Sequence, residues 1–313
     1  MLCCYEQQIH FKVRVYVVGS EGGTCMKFFK MAKKALMVSF TAVLLAGMMA
    51  GCGDEKKEAN TGGGQIQDIQ KIKERGVLRV GVKNAAKGFG FQDPSSGEYT
   101  GMEIDLANKL AKQLGVKTEF TAVTAATRTG LLDSGDIDCV IATFTITPER
   151  KKSWDFTTPY YTDHVGVLVQ KSSNIQTLAD LKDKTVGVAT GSTSAKALVE
   201  AMIKAKLIPA DSYDAKNFDP STWKTGVQFK QYNDHPAISA ALSAGEVAAH
   251  CVDKSILAIY HTPDRTFIKE EFAPQDYGIV TRKGSDLSKV TEDFVQACLK
   301  DGTIKELEKK YGI

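Results

Sequence analysis

The chain reads as an α/β protein of two lobes, each built on a mostly parallel sheet flanked by helices. Three observations predict this. Beyond residue 76, short apolar runs alternate with amphipathic stretches in a β-α-β rhythm, the pattern of parallel sheets covered by helices. The rhythm starts afresh near residue 185, so two lobes are expected. The 313 residues are 43% hydrophobic and 25% charged, ordinary for a folded domain and too apolar for a disordered one. In order, 77–82 reads as a strand and 102–114 as a helix stopped by Gly115. In that helix Ile104, Ala107, Ala111 and Leu114 recur at three-to-four spacing and form one core-facing stripe. A strand at 118–123, a short helix at 129–133 and a buried strand at 137–142 follow. The second round comprises strand 185–189, helix 193–204, strand 227–232, helix 236–243 and strand 248–252. Between them 208–226, with Pro209 and Pro220, reads as a plain surface loop. Two helices, 286–299 and 303–311, joined at Lys300-Asp301-Gly302, close the chain.

Charge excludes one function class. Six of the 40 basic and two of the 37 acidic side chains fall in residues 1–51, so the remainder carries 34 against 35. No basic footprint survives that subtraction, which removes nucleic acid as a main partner.

The early residues read as an address. From Met26, four lysines (Lys27, Lys30, Lys33, Lys34) precede an apolar stretch from Ala35 to Ala50, followed by small residues. This is the layout of a secretory signal, and about sixteen apolar or small residues are short for a membrane span, which needs ~20. Met49-Ala50-Gly51-Cys52 resembles a bacterial lipobox, with Met where leucine is usual, which implies lipidation at Cys52. Residues 52–65, polar and glycine-rich, read as a linker. Residues 1–25 are expected to be a non-native upstream extension. Of seven cysteines, processing would leave Cys52, Cys139, Cys251 and Cys298. Cys139 and Cys251 sit in apolar runs, where free cysteine behaves as a small hydrophobe, and no disulfide framework is expected.

Several motifs carry a family likeness. Gly76-Val77-Leu78-Arg79-Val80-Gly81-Val82, Gly101-Met102-Glu103-Ile104-Asp105-Leu106-Ala107, Thr145-Ile146-Thr147-Pro148-Glu149-Arg150, Asp155-Phe156-Thr157-Thr158-Pro159-Tyr160-Tyr161, Leu178-Ala179-Asp180-Leu181-Lys182 and Tyr277-Gly278-Ile279-Val280 resemble family 3 extracellular solute-binding proteins. The resemblance implies the type II periplasmic-binding-protein fold: lobe 1 at 66–160 plus 277–313, lobe 2 at 164–273, and hinges near 160–164 and 273–277. It implies a monomer that captures a polar amino acid in the cleft and delivers it to the permease and ATPase of an ABC importer. Its place would be outside the cytoplasm, lipid-anchored on the outer face of the bacterial cell membrane or periplasmic. Gly81-Val82-Lys83, Thr127-Arg128, the run 142–150 and the run 252–257 are most similar to the branch that binds L-glutamate or L-aspartate.

On that footing each ligand group acquires a candidate partner. Arg150 suits the α-carboxylate, since its planar fork binds carboxylates bidentately; without the motif it reads as a surface arginine beside Lys151 and Lys152. Thr145 adds a hydroxyl and backbone N–H. Asp253 suits the ammonium, at the C-terminal end of a strand that opens on the crevice, though aspartate there is also a common helix cap. The carbonyl of Thr143 is a second acceptor. Ser192 and Thr193 open a helix whose N–H groups favour an anion, or simply cap it. Lys83, Arg128 and His235 face the distal carboxylate, with no acidic residue assigned to neutralise them; singly they read as a loop lysine, a helix cap and a turn residue. Phe89 and Phe91 wall the cleft, though Phe91 fits the core equally.

No metal or cofactor is expected: the histidines show no ligand spacing with cysteine or carboxylates, and Gly191–Lys196 lacks the ending of a phosphate loop. A binding protein rather than an enzyme is expected. The alternatives are a receptor for glutamine or another polar amino acid, a cyclohexadienyl-dehydratase-like enzyme on the same fold, and a sensor acting through a separate partner.

Overall fold

The computed structural model describes residues 66–313. The expected extension 1–25, signal 26–51, linker 52–65 and lipidated Cys52 lie outside the described residues.

The chain begins with α1 (Asp68–Arg75) and β1 (Val77–Val82), then folds a small antiparallel sheet from β2 (Ala85–Ala86), β3 (Gly90–Gln92) and β4 (Tyr99–Thr100). There follow α2 (Met102–Leu114), β5 (Lys117–Ala122), α3 (Arg128–Ser134), β6 (Cys139–Ile141), α4 (Pro148–Ser153) and β7 (Trp154–Phe156). The long β8 (Tyr161–Gln170) carries the chain into a second unit of β9 (Thr185–Ala189), α5 (Ser194–Lys204), β10 (Gln228–Tyr232), α6 (His235–Ser243), β11 (Ala249–Asp253), α7 (Lys254–Leu257) and β12 (Arg265–Phe267). It returns on β13 (Phe272–Tyr277) to β14 (Val280–Arg282), α8 (Leu287–Lys300) and α9 (Thr303–Tyr311).

Besides that small sheet there are two larger ones, ordered β5-β1-β6-β14-β7 and β10-β9-β11-β8-β12, with β13 against β8. The lobes are therefore two, and the sheets are mixed rather than mostly parallel. In each, three parallel strands (β5, β1, β6; β10, β9, β11) come from the β-α-β rhythm, and antiparallel strands extend them. The added strands exist because the chain crosses between lobes twice, and its return run opposes its outward run. β6, β9 and β11 are buried along almost their whole length, as expected of strands covered on both faces.

The antiparallel pair β8–β13 joins the lobes, with Gln275 opposite Asp163 and Tyr277 opposite Tyr161. The register slips between Phe272 and Pro274, where Ala273 takes a left-handed φ of 49°. Helix α2 ends where Gly115 turns left-handed (φ 74°) and its N–H reaches the carbonyls of Ala111 and Lys112, a glycine C-cap. Its buried side is wider than the expected stripe, adding Met102, Glu103, Leu106 and Leu110, because α2 packs against both the sheet and α9. The stretch 208–226 is not a plain loop. Tyr213, Phe218 and Trp223 stack edge-on within 6.1 Å of one another, and Phe218 meets Phe229 of β10.

Candidate functional site

The C-terminal ends of β1, β6 and β11 point at the same cleft, as in other open α/β sheets. Eight of the singled-out residues line one small, half-open cavity there: Lys83, Arg128, Thr143 and Thr145 from lobe 1, and Ser192, Thr193, His235 and Asp253 from lobe 2. Its volume is about 20 Å³. The lobes are closed over it. Arg150, at the foot of α4, holds the Thr145 carbonyl at 2.8 Å and reaches across the cleft to the Gly191 carbonyl at 3.0 Å. Its guanidinium carbon lies 4.8 Å from the centre of the Phe144 ring, so an aromatic face and two carbonyls fix the fork beside Thr145.

Arg128 is 3% exposed. It donates to the Ala142 carbonyl at 3.0 Å and stacks over Phe144 at 3.5 Å. Burial and the neighbouring Arg150 charge hold its pKa well below the usual arginine value. Burial and the Arg128 charge likewise pull Lys83 down to about 7. Asp253 is pushed up to about 7, chiefly by burial. Its Oδ2 accepts from the Tyr277 hydroxyl at 2.5 Å. Asp253 does not cap α7; Asp163 takes that work, accepting from the Ser255 backbone N–H and hydroxyl. The Asp253 carboxylate is thereby left to Tyr277 and the cavity.

The expectation that no acid faces these cations fails. Glu103, wholly buried on α2, is close enough to act on both Lys83 and Arg128. Its Oε1 accepts from the Thr143 N–H and the Tyr160 hydroxyl, each at 2.6 Å. That bond pins Thr143 at φ 44°, which turns its carbonyl towards Arg128 at 3.4 Å. The sequence signal was available: a charged side chain on the buried face of an amphipathic helix. Gln275 was also missed. It is 4% exposed and accepts from Thr145 at 2.8 Å and Thr193 at 2.7 Å. Ser194 Oγ is a third omission, buried on the cavity wall without a partner among the described residues.

Phe89 does not wall the cavity. It is fully buried in the lobe 1 core, edge-on to Tyr161 at 5.0 Å and Tyr277 at 5.8 Å. Its apolar ring gains more from that packing than from a polar cleft, and truncating it would cost ~3–5 kcal/mol of stability. Phe91 lines a different groove, shared with Ile259, Tyr311 and Ile313. His235 stands 3.2 Å from His250 through Nδ1 and Nε2, their rings stacked at 22°. Burial first, and the facing His250 next, hold His235 well below the usual histidine range. His235 therefore serves as a neutral hydrogen-bonding group, not as a cation.

Comparison with known proteins adds the family. The model of bacterial extracellular solute-binding proteins, family 3, matches residues 78–313. The L-cystine-binding protein TcyJ of Escherichia coli (strain K12) is 32% identical over 292 residues, spanning 91% of this chain and 97% of its own. The ABC transporter glutamine-binding protein GlnH of Bacillus subtilis (strain 168) is 31% identical over 293 residues, with the same two shares of 91% and 97%. Among solved structures, the ancestral amino acid-binding protein AncCDT-1, a precursor of cyclohexadienyl dehydratase, superposes with a TM-score of 0.65 at 31% identity, over 78% of this chain and 99% of its own.

The histidine pair makes stability depend on pH. Burial, then Arg265, pulls His250 down to about 3, whereas an unfolded histidine titrates near 6.5. Above pH ~6.5 both states are neutral and the fold keeps its full stability. Below it, the unfolded chain takes a proton that the folded chain refuses, at ~1.4 kcal/mol per pH unit, until about pH 3. Between pH 7 and pH 5, His250→Gln should lose ~2 kcal/mol less stability than wild type in urea titrations. Equal losses in the two proteins would refute the assignment.

Proposed function

The chain belongs to family 3 of the bacterial extracellular solute-binding proteins and is an extracytoplasmic receptor that supplies an amino acid to an ABC importer; we propose that this amino acid is acidic, L-glutamate or L-aspartate. One observation carries the reading. Three basic side chains, Lys83, Arg128 and Arg150, gather at the closed cleft with two acidic ones, Glu103 and Asp253, beside them. A zwitterion leaves that excess of positive charge in place, whereas a ligand with a second carboxylate cancels it. The second carboxylate also restores what burial takes from Lys83, by favouring its charged form.

In this reading Arg150 and the Thr145 backbone N–H take the α-carboxylate, with Ser192 and the Thr193 backbone N–H closing from the other lobe, since both threonine hydroxyls are given to Gln275. Asp253 takes the ammonium, which would draw its pKa back down. Lys83, Arg128 and neutral His235 take the distal carboxylate. The lobes close because a ligand touching both stabilises the closed state by its differential affinity. Binding without turnover is part of the proposal. Asp253, the group best placed for proton transfer, is held by Tyr277 at 2.5 Å, and prephenate and arogenate should be recovered unchanged. A neutral ligand is the second reading, favoured by the cystine and glutamine specificities carried in the names of TcyJ and GlnH.

Calorimetric titration with glutamate, aspartate, glutamine, asparagine and cystine separates the two. An acid should bind at least ~100-fold more tightly than its amide, a gap of ~2.7 kcal/mol, since unpaired buried charged groups cost more than 1–3 kcal/mol each. Tighter binding of glutamine or cystine would overturn the acidic assignment and leave the amino-acid receptor standing.

Two substitutions should differ in kind. Arg128→Ala should weaken the acids more than the amides and narrow that gap. Gly191→Ala should weaken every ligand alike. Gly191 has φ 76°, and a methyl there would stand 2.9 Å from the Ala125 carbonyl oxygen across the cleft, obstructing closure. An expected loss of ~10-fold or more in affinity corresponds to ~1.4 kcal/mol, and the left-handed backbone at an alanine should also lower the melting temperature by a few degrees. An unaltered affinity would show that the cleft closes differently.

The anchor belongs to the same proposal. A cysteine carrying two or more acyl chains holds a membrane where one binds marginally. Cys52→Ala should release the protein into the soluble fraction or block its processing. Unchanged membrane retention together with an unchanged mass would remove Cys52 from the account.

A further inference from the structure

We infer that Gln275 is the latch of the closed state: one side-chain oxygen, mounted on the strand that returns between the lobes, ties a hydroxyl of lobe 1 to a hydroxyl of lobe 2. The inference rests on the closure reading above and deepens it. Gln275 Oε1 accepts from Thr145 Oγ1 at 2.8 Å and from Thr193 Oγ1 at 2.7 Å. An amide oxygen has two lone-pair sites, and both are filled, one from each side of the cleft.

The orientation of the amide is fixed by chemistry. Its nitrogen donates to the Ala273 and Pro274 carbonyls at 3.0 and 3.2 Å. The flipped amide would set an acceptor against two acceptors. Those carbonyls are available because the strand bulges at Ala273, so the irregularity in β13 aims the oxygen at the cleft. Neither hydroxyl has other work. Thr193 occupies the N-cap of α5 yet makes no side-chain bond to that helix. Thr145 lies beyond the end of β6, bridged through its backbone to Tyr277. In the open state the hydroxyl from lobe 2 must leave, and Gln275 and Thr193 turn to water. The latch therefore acts after encounter and governs release more than capture. Gln275 is a positioning residue and has no place among the groups assigned to the ligand.

Stopped-flow binding, together with the inter-lobe distance measured between spin labels on α3 and α6, tests this with L-glutamate, L-aspartate, L-glutamine and L-cystine as probes. For any probe that closes the wild type, Gln275→Met should raise the dissociation rate ~10-fold, the loss expected when buried hydroxyls lose an acceptor, and leave the association rate within ~2-fold. Thr193→Val should do the same, whereas Thr193→Ser, which keeps the hydroxyl, should behave as wild type. The double variant Gln275→Met, Thr193→Val should dissociate no faster than Gln275→Met alone, because the two changes remove one shared bond. Wild-type dissociation rates in both single variants, or additive effects in the double, overturn the latch even where glutamate binds tightly. If only glutamine or cystine closes the wild type, the acidic reading fails and the latch is judged on that probe. A wild type that none of the four closes overturns the latch together with the closure it serves.

Discussion

Positive charge can be enclosed in a protein only where negative charge is enclosed with it. Lys83, Arg128 and Arg150 meet at the point where two lobes shut out water, and an isolated buried cation is costly enough that it would rather lose its proton. The downward pull on Lys83 and Arg128 is the local expression of that cost. Each feature around the cleft manages it. Glu103 and Asp253 lend carboxylates, Phe144 offers its face to two guanidinium groups, and the Ala142, Thr145 and Gly191 carbonyls accept their N–H groups. On the acidic-ligand proposal, a second carboxylate from the ligand would complete that balance.

The same groups bind the site to the hinge. Glu103 connects Thr143, at the end of β6, with Tyr160, where the chain leaves lobe 1. Tyr277, where it returns, bonds Asp253 and lies 3.2 Å from Asp163. Cleft-facing carbonyls and carboxylates are thus one bond removed from both crossing strands. Holding Thr143 at φ 44° is locally unfavourable by ~1–2 kcal/mol, and the buried bond from Glu103 sustains it.

The sequence made legible whatever is local. Strand β1 and helices α2 and α9 lie where periodicity and the glycine stops place them, because their signals are contained within a few turns. The antiparallel strands β7, β8, β12, β13 and β14 were not legible as sheet members, since pairing across eighty residues or more leaves no periodic trace. The site divides along the same line. Lys83, Arg128 and Asp253 follow strand ends or open helices and could be placed by motif. Gln275 is brought in by a bulge, and His250 by its position opposite Leu168 on a neighbouring strand. Phe89 was misplaced for a physical reason: an aromatic residue beside a cleft motif suits a wall and a core equally, and only the packing of Tyr161 and Tyr277 decides.

The order of strands in the first sheet also bears on how the molecule is made. β14 lies between β6 and β7, in the interior of that sheet, and its residues come from the last thirty-four of the chain. Lobe 2, by contrast, draws its sheet from the continuous stretch 161–277. A ribosome or translocon releasing this chain from its N-terminus therefore emits a first lobe that cannot complete itself, with β6 and β7 lacking the strand that joins them. The second lobe can assemble as soon as it emerges, while the first must wait for the tail. A sheet whose interior strand follows the whole second lobe in the chain is a built-in delay in the folding of the first.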